Sequence, residues 1–378
     1  MAKYRFDQIA INSTEKKKPV EEDRFTYLGL EHLDSGTLKV TRFGSEVAPI
    51  GEKLVMHKGD VLFGKRRAYQ KKVAIAPFDG IFSAHGMVLR PKEDVIDKDF
   101  FPLFISSDYF LDAAIKISVG SLSPTINWRD LKELEFELPD MDTQRKLAEV
   151  LWSINDTMEA YKRLISATDE LVKSQFMEQF GDPRANPKQL PVKPLGEVCM
   201  VERGGSPRPI ADYVTDSEDG INWIKIGDAD GTRYISETAE KIIPEGVKKS
   251  RMVQAGDLIL SNSMSFGHPY ILKIDGCIHD GWLVLHFDKA VFDALYLQTY
   301  LGLPVVYAIF ETMAAGGVVN NLNSEIVKRL PVIVPAIDQQ EQFAAFVRQS
   351  DKSKFAVLSC SNLNLSLCSE SLRTAQTQ

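Results

Sequence analysis

The chain has 378 residues, which is too long for one compact core and predicts two or three domains. Its hydrophobic content of 44% and charged content of 26% are ordinary for a folded globular protein and exclude a largely disordered chain. Taken alone, the net charge of −7 argues against a nucleic-acid partner, but phosphates respond to the local surface, so net charge does not exclude one.

The sequence contains no signal for secretion, membrane insertion or metal binding. Its first residues, MAKYRFDQIA, lack the apolar segment of a secretory signal, and no run reaches the roughly 18 apolar residues of a membrane span. We therefore expect a cytoplasmic protein without membrane contact. The cysteine spacings fit neither a zinc site nor a disulfide framework, so no metal is expected and reduced thiols are predicted at Cys199, Cys277, Cys360 and Cys368.

Residues 1–141 are predicted to form a mixed domain of short strands. Apolar segments such as 61–63, 73–76 and 87–89 are bounded by Gly, Pro or Asp, as strands are. The first of these runs into a basic segment that contains Lys65, Arg66, Arg67, Tyr69, Gln70, Lys71 and Lys72. Arg and Gln can each make two hydrogen bonds to one base and Lys can bind phosphate, so this segment is a candidate DNA-reading loop. A solvated basic hairpin is the alternative, and charge alone does not decide between them.

The rest of the first domain is predicted to contain a helix, a Gly-Ser loop and a capped turn. Aromatic residues at roughly helical spacing predict a helix near residues 98–117. Residues 120–125 include Ser121 and Ser123, and these small side chains would let a partner approach the backbone, although a simple turn is an alternative. The side-chain oxygen of Asn127 is predicted to cap a short helix over 128–134.

A long helix is predicted over residues 142–181. Between Thr143 and Phe180 it would measure about 57 Å at about 1.5 Å per residue, which exceeds one small domain. Gly181 and Pro183 predict its end, followed by a linker. Its apolar residues alternate at spacings of four and three, which is the pattern of a coiled-coil seam. They are Leu147, Leu151, Ile154, Met158, Tyr161, Ile165 and Val172, and Thr168 occupies the seam position between the last two.

The second half of the chain repeats the first at an offset of about 196 residues. The echoes include Gly59-Asp60 with Gly256-Asp257, Asn127 with Asn323, and the run Pro139-x-x-Asp142-x-Gln144 with Pro335-x-x-Asp338-x-Gln340. A period this long excludes a solenoid and indicates two copies of one domain, each followed by a helix.

The second helix, from Asp338, has a weaker seam. We favour antiparallel pairing with the first helix over a fraying terminal helix, because a lone helix would expose a continuous apolar stripe. Its predicted seam residues are Phe343, Val347, Phe355, Leu358 and Leu365.

The two copies differ in their loops, as one scaffold that reads two different sequences should. At the position of the basic loop the second copy has a polar segment that includes Ser261, Asn262, Ser263 and His268. Its candidate phosphate-binding side chains are Arg203, Arg208, Lys248 and Lys249, and its Gly-rich loop adds Asn320 and Asn321.

The sequence lacks the motifs of nucleotide hydrolysis, methyl transfer and nuclease activity. Pro139-Asp140 resembles the start of a metal-dependent nuclease motif, but no acidic-x-Lys follows and the second copy reads Pro335-Ala336. His85 and His279 occupy nearly equivalent positions, for which shared packing is favoured over shared chemistry. We therefore predict no catalytic residue.

Taken in order, these elements resemble the specificity subunit of type I restriction-modification systems. The strongest elements are the junction that occurs twice, in LKELEFELPDMDTQRKLAEVL (131–151) and VKRLPVIVPAIDQQEQFAAFV (327–347), and the Gly-Asp strand that precedes each variable loop. QFGDP (179–183) ends the long helix. The resemblance extends over essentially the whole chain.

The resemblance implies an α+β protein with two similar mixed α/β target recognition domains, separated by two long helices that form an antiparallel coiled coil. The recognition domains would be residues 1–141 and 182–337, the latter with its linker, and the conserved helices 142–181 and 338–378. Each domain would read one half of a bipartite, asymmetric site in double-stranded DNA.

The resemblance also implies partners and cofactors. The coiled coil would fix the half-site spacing and dock two methyltransferase subunits, which bind S-adenosylmethionine. A restriction subunit using ATP and Mg²⁺ would be a further partner in some systems, and this chain would hold no cofactor. The first rival hypothesis is a duplicated protein-interaction scaffold that never touches DNA. The second is an enzyme with a cryptic nuclease or methylase site, which the missing motifs oppose.

Overall fold

In the computed structural model, the structure describes residues 1–229, 231–263, 266–314 and 322–354. They divide into two compact units, the first formed by Met1–Glu159 and the second beginning at Ala160. Each unit has its own mixture of sheets and helices, which confirms the predicted α+β class. No helix of the described residues is long and apolar enough to cross a membrane.

The first unit contains two four-stranded sheets and one strand pair. Its strands are β1 (Ala2–Arg5), β2 (Ala10–Ser13), β3 (Lys16–Lys17), β4 (Tyr27–Leu28), β5 (Lys53–Met56), β6 (Val61–Phe63), β7 (Val73–Ile75), β8 (Gly80–Phe82), β9 (Met87–Pro91) and β10 (Glu135–Leu138). Strand order is β2-β9-β6-β7 in one sheet and β3-β5-β8-β4 in the other, and β1 pairs with β10. Among the described strand pairs of this unit, β4 and β8 are parallel and the others are antiparallel.

Four short helices cover the first sheet, and a long one leaves the unit. They are α1 (Phe6–Ile9), α2 (Phe100–Ser106), α3 (Asp108–Lys116), α4 (Trp128–Leu131) and α5 (Met141–Phe180). The aromatic rings of Phe6, Phe110 and Phe136 pack together at centroid distances of 5.0 to 6.0 Å and centre this core. Burying three large rings contributes strongly to stability because each removes a large apolar area from water.

Two sequence predictions in this unit are corrected. The helix predicted near 98–117 is two helices, since the chain turns at Ser107, whose hydroxyl accepts from the backbone N–H of Phe110 at 3.3 Å. Asn127 precedes α4 but its side chain makes no capping bond. The equivalent Asn323 does cap its helix, accepting from the N–H of Ile326 at 2.9 Å.

The second unit contains two five-stranded sheets, of order β12-β21-β18-β19-β15 and β13-β16-β14-β20-β17, and the pair β11-β22. The strands are β11 (Val192–Pro194), β12 (Cys199–Arg203), β13 (Val214–Thr215), β14 (Ile221–Ile224), β15 (Tyr234–Ile235), β16 (Lys241–Ile242), β17 (Arg251–Val253), β18 (Leu258–Ser261), β19 (Pro269–Leu272), β20 (Gly276–Ile278), β21 (Trp282–Phe287) and β22 (Pro331–Ile333). The helices are α6 (Leu195–Val198), α7 (Pro244–Val247), α8 (Ala294–Leu301), α9 (Pro304–Ala314) and α10 (Ser324–Lys328), and residues 337–354 are also helical.

The repeated Gly-Asp pair builds the same turn before β6 and β18. Gly59 and Gly256 have φ of +94° and +97°, a conformation that favours glycine. The carboxylates of Asp60 and Asp257 each accept from the backbone N–H three residues earlier, at 2.8 Å in both copies. The repeat therefore preserves a turn.

The repeated glutamine fastens each long helix to its domain. Gln144 accepts from the backbone N–H of Asp97 at 2.8 Å and donates to two carbonyl oxygens at 2.9 and 3.2 Å. Gln340 makes the corresponding three bonds, with the N–H of Asp293 and two carbonyls, at 2.9 to 3.1 Å. All the groups bonded to Gln144 and Gln340 are backbone atoms. The attachment therefore depends on the backbone path of the domain and not on the identity of its side chains.

Gln340→Ala is expected to destabilise the second unit by about 2–4 kcal/mol, because the N–H of Asp293 and the carbonyls of Val291 and Pro335 lose the side chain that bonds to them. Gln340 is fully buried, whereas its neighbour Gln339 is exposed. Hydrogen exchange of the full chain in increasing urea, followed in peptides from the second unit, measures the loss of unfolding free energy. Gln339→Ala is the matched control and should change stability by less than about 0.5 kcal/mol; equal effects of the two substitutions would contradict this role of Gln340.

The long helix α5 spans Met141–Phe180 and ends before Gly181, which has a φ of +83°. The predicted seam residues from Leu147 to Ile165 are half-buried, and Val172 is buried. Phe343 and Val347 of the second helix are fully buried. Phe355, Leu358 and Leu365 lie outside the described residues, and the coiled coil stays a prediction.

Candidate nucleic-acid interface

The basic loop of the first unit connects β6 to β7 and has an unusual backbone. Arg67 and Lys71 have φ of +55° and +48° on either side of a short 3-10 turn at Ala68–Gln70. Such left-handed residues cost energy when they are not glycine, and surrounding structure must hold them. The methyl group of Ala68 is buried and anchors the middle of the turn.

The Gly-Ser loop provides the rest of that support. The backbone N–H of Arg67 donates to the carbonyl of Pro124 at 2.8 Å, and the N–H of Ile126 donates to the carbonyl of Lys65 at 2.9 Å. Arg66 Nε donates to Ser123 Oγ at 3.0 Å. The two loops that the sequence singled out separately therefore form one surface, which we call the paired loops (residues 64–72 and 119–126).

In the structure some cationic side chains of the basic loop are exposed to solvent, whereas others contact neighbouring residues of the protein. Arg66 and Arg67 are exposed, and Tyr69 is 56% exposed. Lys71 Nζ is instead 2.6 Å from the Asp108 carboxylate and 2.8 Å from that of Asp112.

Two other lysines of the loop are also drawn inward. Lys72 Nζ donates to the carbonyl of Leu30 at 2.7 Å. Lys65 is half-buried, and burial together with the nearby charge of Lys16 lowers its pKa. Of the seven predicted residues, Arg66, Arg67 and Tyr69 are exposed and Gln70 is half-buried, and the side chains of these four are not drawn inward as those of the three lysines are.

A concave surface of about 450 Å³ lies beside the paired loops, lined by Arg66, Gln70, His85, Glu31 and Tyr27 among others. The His85 ring nitrogen Nε2 lies 3.4 Å from Arg66 Nη1. Burial, and then the positive charges of Arg66, Lys65 and Lys53, lower the pKa of His85 and favour its neutral ring. The surface thus offers hydrogen-bond donors and acceptors together, which is what base edges require.

The corresponding loop of the second unit includes two buried polar residues. Ser261 and Asn262 are buried: the hydroxyl of Ser261 accepts from the N–H of His268 at 2.9 Å, and Asn262 Nδ2 donates to the carbonyl of Asp280 at 3.1 Å. These two buried side chains hold the loop from inside, so they are not among the exposed side chains that this loop offers to a partner. A polar residue next to a strand gives no sign of which way it will face until the neighbouring strands are in place.

His268 and Ser263 remain accessible, since His268 is exposed and Ser263 half-buried. The rings of His268 and Phe266 both stack on Tyr307 of α9, at centroid distances of 5.8 and 5.7 Å. Tyr307 was missed by the sequence analysis because it lies about forty residues further along the chain and its partners are visible only in the fold.

The basic residues proposed for the second unit are all exposed, namely Arg203, Arg208, Lys248 and Lys249. Arg203 Nε donates to the carbonyl of Asp280 at 2.9 Å, and Lys249 Nζ lies 2.5 Å from the Tyr213 hydroxyl. The Gly-rich segment that leads to Arg208 is fastened by Ser206, whose hydroxyl donates to Asp280 Oδ1 at 2.6 Å. Asn320 and Asn321 lie outside the described residues.

The two histidines at nearly equivalent positions have different surroundings. His279 packs against Trp223 at a centroid distance of 6.2 Å, and its Nδ1 accepts from the N–H of Gly281 at 2.9 Å. His85 is exposed and lines the concave surface. The packing interpretation therefore suits His279, whereas His85 joins the candidate interface.

The described residues contain no group of three His, Cys, Asp or Glu side chains that could hold a metal ion. Cys199 and Cys277 are buried free thiols, and burial raises the pKa of Cys199 to about 12. Thiols with such pKa values are poor nucleophiles at neutral pH. Cys360 and Cys368 lie outside the described residues.

The comparisons with known proteins agree with one another. A family model described as the type I restriction modification DNA specificity domain matches the chain twice, over residues 20–167 and 187–362. The specificity subunit of the Escherichia coli type I restriction enzyme EcoDI is 28% identical over 182 residues, 46% of this chain and 40% of that subunit. The specificity subunit of the type I restriction enzyme MjaIX of Methanocaldococcus jannaschii is 30% identical over 134 residues, 31% of this chain and 30% of that subunit.

The aligned regions thus span less than half the length of these two curated relatives. Similarity of fold extends further. The crystal structure of the S subunit of a type I restriction-modification system from M. genitalium matches with a TM-score of 0.55 at 14% identity, covering 98% of this chain and 94% of that one.

Proposed function

The chain belongs to the type I restriction-modification DNA specificity family, and from that premise we propose that it reads a bipartite DNA site as a non-catalytic subunit. The family membership confirms the resemblance found in the sequence. The proposed recognition domains are residues 1–141 and 182–337, and the proposed spacing helices are 142–181 and 338–378. The DNA target is a double-stranded site with a different sequence in each half.

This proposal rests on one observation: the two paired loops are joined to each other, and the structural elements that support them occur in both halves of the chain. In the first unit the bond from Arg66 to Ser123 joins two loops that are 57 residues apart in the chain. In the second unit the same Gly-Asp turn and the same glutamine fastening support a loop with different exposed side chains. A repeated frame with unlike loops is suited to reading two unlike half-sites.

Arg66 and Arg67 are the proposed base-reading and phosphate-binding residues of the first domain. A guanidinium can donate two hydrogen bonds to O6 and N7 of guanine, and each such pair contributes about 1–3 kcal/mol of discrimination. Gln70 can pair in the same way with adenine. His268, Ser263, Arg208 and Lys248 are the proposed DNA-facing residues of the second domain.

Arg66→Ala is expected to weaken binding to the cognate duplex by about 10- to 100-fold and to relax one base position in one half-site. Lys71→Ala removes the same charge from the same loop, but Asp108 and Asp112 already neutralise that lysine, so it should change affinity by less than about three-fold. Competition binding of the assembled complex, at one salt concentration with cognate and unrelated duplexes, measures both.

Equal losses from the two substitutions would show that only net charge matters and would contradict base reading by Arg66. Arg66→Lys separates charge from geometry, because lysine keeps the charge and cannot donate the paired bonds. If neither duplex binds the complex at all, the protein-interaction scaffold becomes the better hypothesis.

The proposed partners besides DNA are two methyltransferase subunits, which would bind S-adenosylmethionine, and in some assemblies restriction subunits that use ATP and Mg²⁺. The long helix α5 offers a docking surface for the methyltransferase subunits. Leu164 and Leu171 are 50% and 52% exposed and lie one heptad apart, beside the half-buried seam. Exposed leucines at heptad spacing are suited to packing against another helix.

A further inference from the structure

In the second unit, a polar network joins the edge of a sheet to the helical residues 337–354. Arg233 Nε donates to Asp351 Oδ1 at 3.0 Å, and the Tyr234 hydroxyl donates to Asp351 Oδ2 at 2.9 Å. The two carboxylate oxygens thus receive donors from two consecutive residues, Arg233 just before β15 and Tyr234 at its start. The side chains of Arg233 and Asp351 are only 11% and 18% exposed.

Other contacts hold this network from behind. Arg233 Nη1 donates to Gln298 Oε1 of α8 at 2.7 Å, and Gln298 Nε2 donates to the carbonyl of Pro269 at 3.2 Å. Burial, followed by the charge of Asp351, raises the pKa of Tyr234, so its hydroxyl keeps the proton that it donates. Lys354, just beyond Asp351, forms an ion pair with Asp169 of α5. The network therefore attaches the sheet to the helical residues 337–354, close to the point where these residues contact α5.

The network is not part of the repeat. Thr37, Leu38 and Asn155 occupy the positions 196 residues before Arg233, Tyr234 and Asp351, and they cannot form the same ion pair. The junction that both copies share is the buried glutamine. The second copy therefore has an additional, charged attachment to its helix.

Hydrogen bonds and apolar contacts restrain this junction differently. The rings of Phe176, Tyr296 and Phe343 pack at the same end of the unit, with centroid distances of 5.5 Å from Phe176 to each of the others. The hydrophobic effect is not directional, so apolar packing restrains rotation less strictly than hydrogen bonds do. Hydrogen bonds weaken steeply when misaligned, and polar groups that lose them while buried are penalised, so the network permits one orientation.

We propose that Arg233, Tyr234, Gln298 and Asp351 are positioning residues that fix the angle of the second recognition domain on its helix and thereby restrict the spacing of the two half-sites. This inference rests on the proposed function. A spacer longer by one base pair moves a half-site by about 3.4 Å and turns it by about 35° around the duplex. A domain held at one angle rejects that site, whereas a domain free to rotate accepts it.

The test uses the full chain assembled with its methyltransferase partner in cells, with methylated bases mapped by sequencing. Asp351→Asn keeps the size of the side chain and removes its charge, and Tyr234→Phe removes only one donor. In both variants we expect unchanged half-site bases and an about ten-fold rise in methylation at sites whose spacer differs by one base pair, relative to cognate sites. Glu135→Gln, which removes the exposed Lys3–Glu135 ion pair of the first unit, is the control and should leave the spacing strict.

Strict spacing in both variants, with cognate methylation retained, would overturn the inference. Relaxation of the half-site bases without relaxation of the spacer would also overturn it, because the network would then act on recognition. If Asp351→Asn does not fold, Tyr234→Phe alone decides. A wild-type complex that methylates no bipartite motif would refute the proposed function itself, and that result is distinct from either outcome of the variants.

Discussion

Replacement of residues 1–141 by the corresponding domain of another family member is expected to change one half of the methylated motif and to leave the other half and the spacer unchanged. The first unit has its own core of aromatic residues and its own paired loops, so the proposed reading surface moves with it. The exchange point after Met141 replaces only the first residue of α5 and leaves the rest of that helix unchanged. Gln144 can fasten the incoming domain because its partners are backbone groups.

Sequencing of methylated bases in cells that express the chimaera measures the outcome. The reciprocal exchange of residues 190–337 is the matched control and should change the opposite half-site. A motif that stays intact after either exchange would contradict the assignment of reading to that domain. A change in both halves would contradict independent reading.

Leu164→Glu combined with Leu171→Glu is expected to abolish binding of the methyltransferase subunits and, with it, DNA methylation. Each fully buried leucine contributes about 1.5–3 kcal/mol to an interface, and an unpaired buried carboxylate adds a further desolvation cost. Both side chains are half exposed in this chain, so the substitutions should leave its own folding little changed. Co-purification and mass measurement of the complex test this.

Ser166→Glu is the control for the docking experiment. Ser166 is exposed and lies two residues beyond Leu164, about 200° around the helix at 3.6 residues per turn. It adds a similar charge to a different face and should leave the complex intact. Full assembly of the double leucine variant would exclude this face as the docking surface.

The local features of the chain were predictable because short-range sterics and periodicity determine them. The heptad spacing predicted α5 to within about two residues at each end, and Gly181 ends it in the conformation expected of a glycine. The repeated Gly59 and Gly256 mark turns for the same reason. The repeat itself, read from matched residues, predicted two copies of one domain and the family.

The behaviour of individual polar side chains was less predictable. Asn127 and Asn323 stand at equivalent positions, yet only Asn323 caps its helix. Ser107 divides a helix that looked continuous in the sequence. Side chains such as Asn and Ser can bond to several nearby backbone groups, and local pattern does not choose among them.

By itself, the sequence determined the duplicated organisation, the long first helix and the position of the variable loops, since these depend on residue type and spacing along the chain. Only the tertiary structure decided which loop residues are exposed and which are engaged by other side chains. Lys71 is neutralised by Asp108 and Asp112, some forty residues away, whereas Arg66 extends from the same loop to Ser123 and stays exposed. The physical reason is that charge neutralisation and burial are set by neighbours in space, and those neighbours are distant in the sequence.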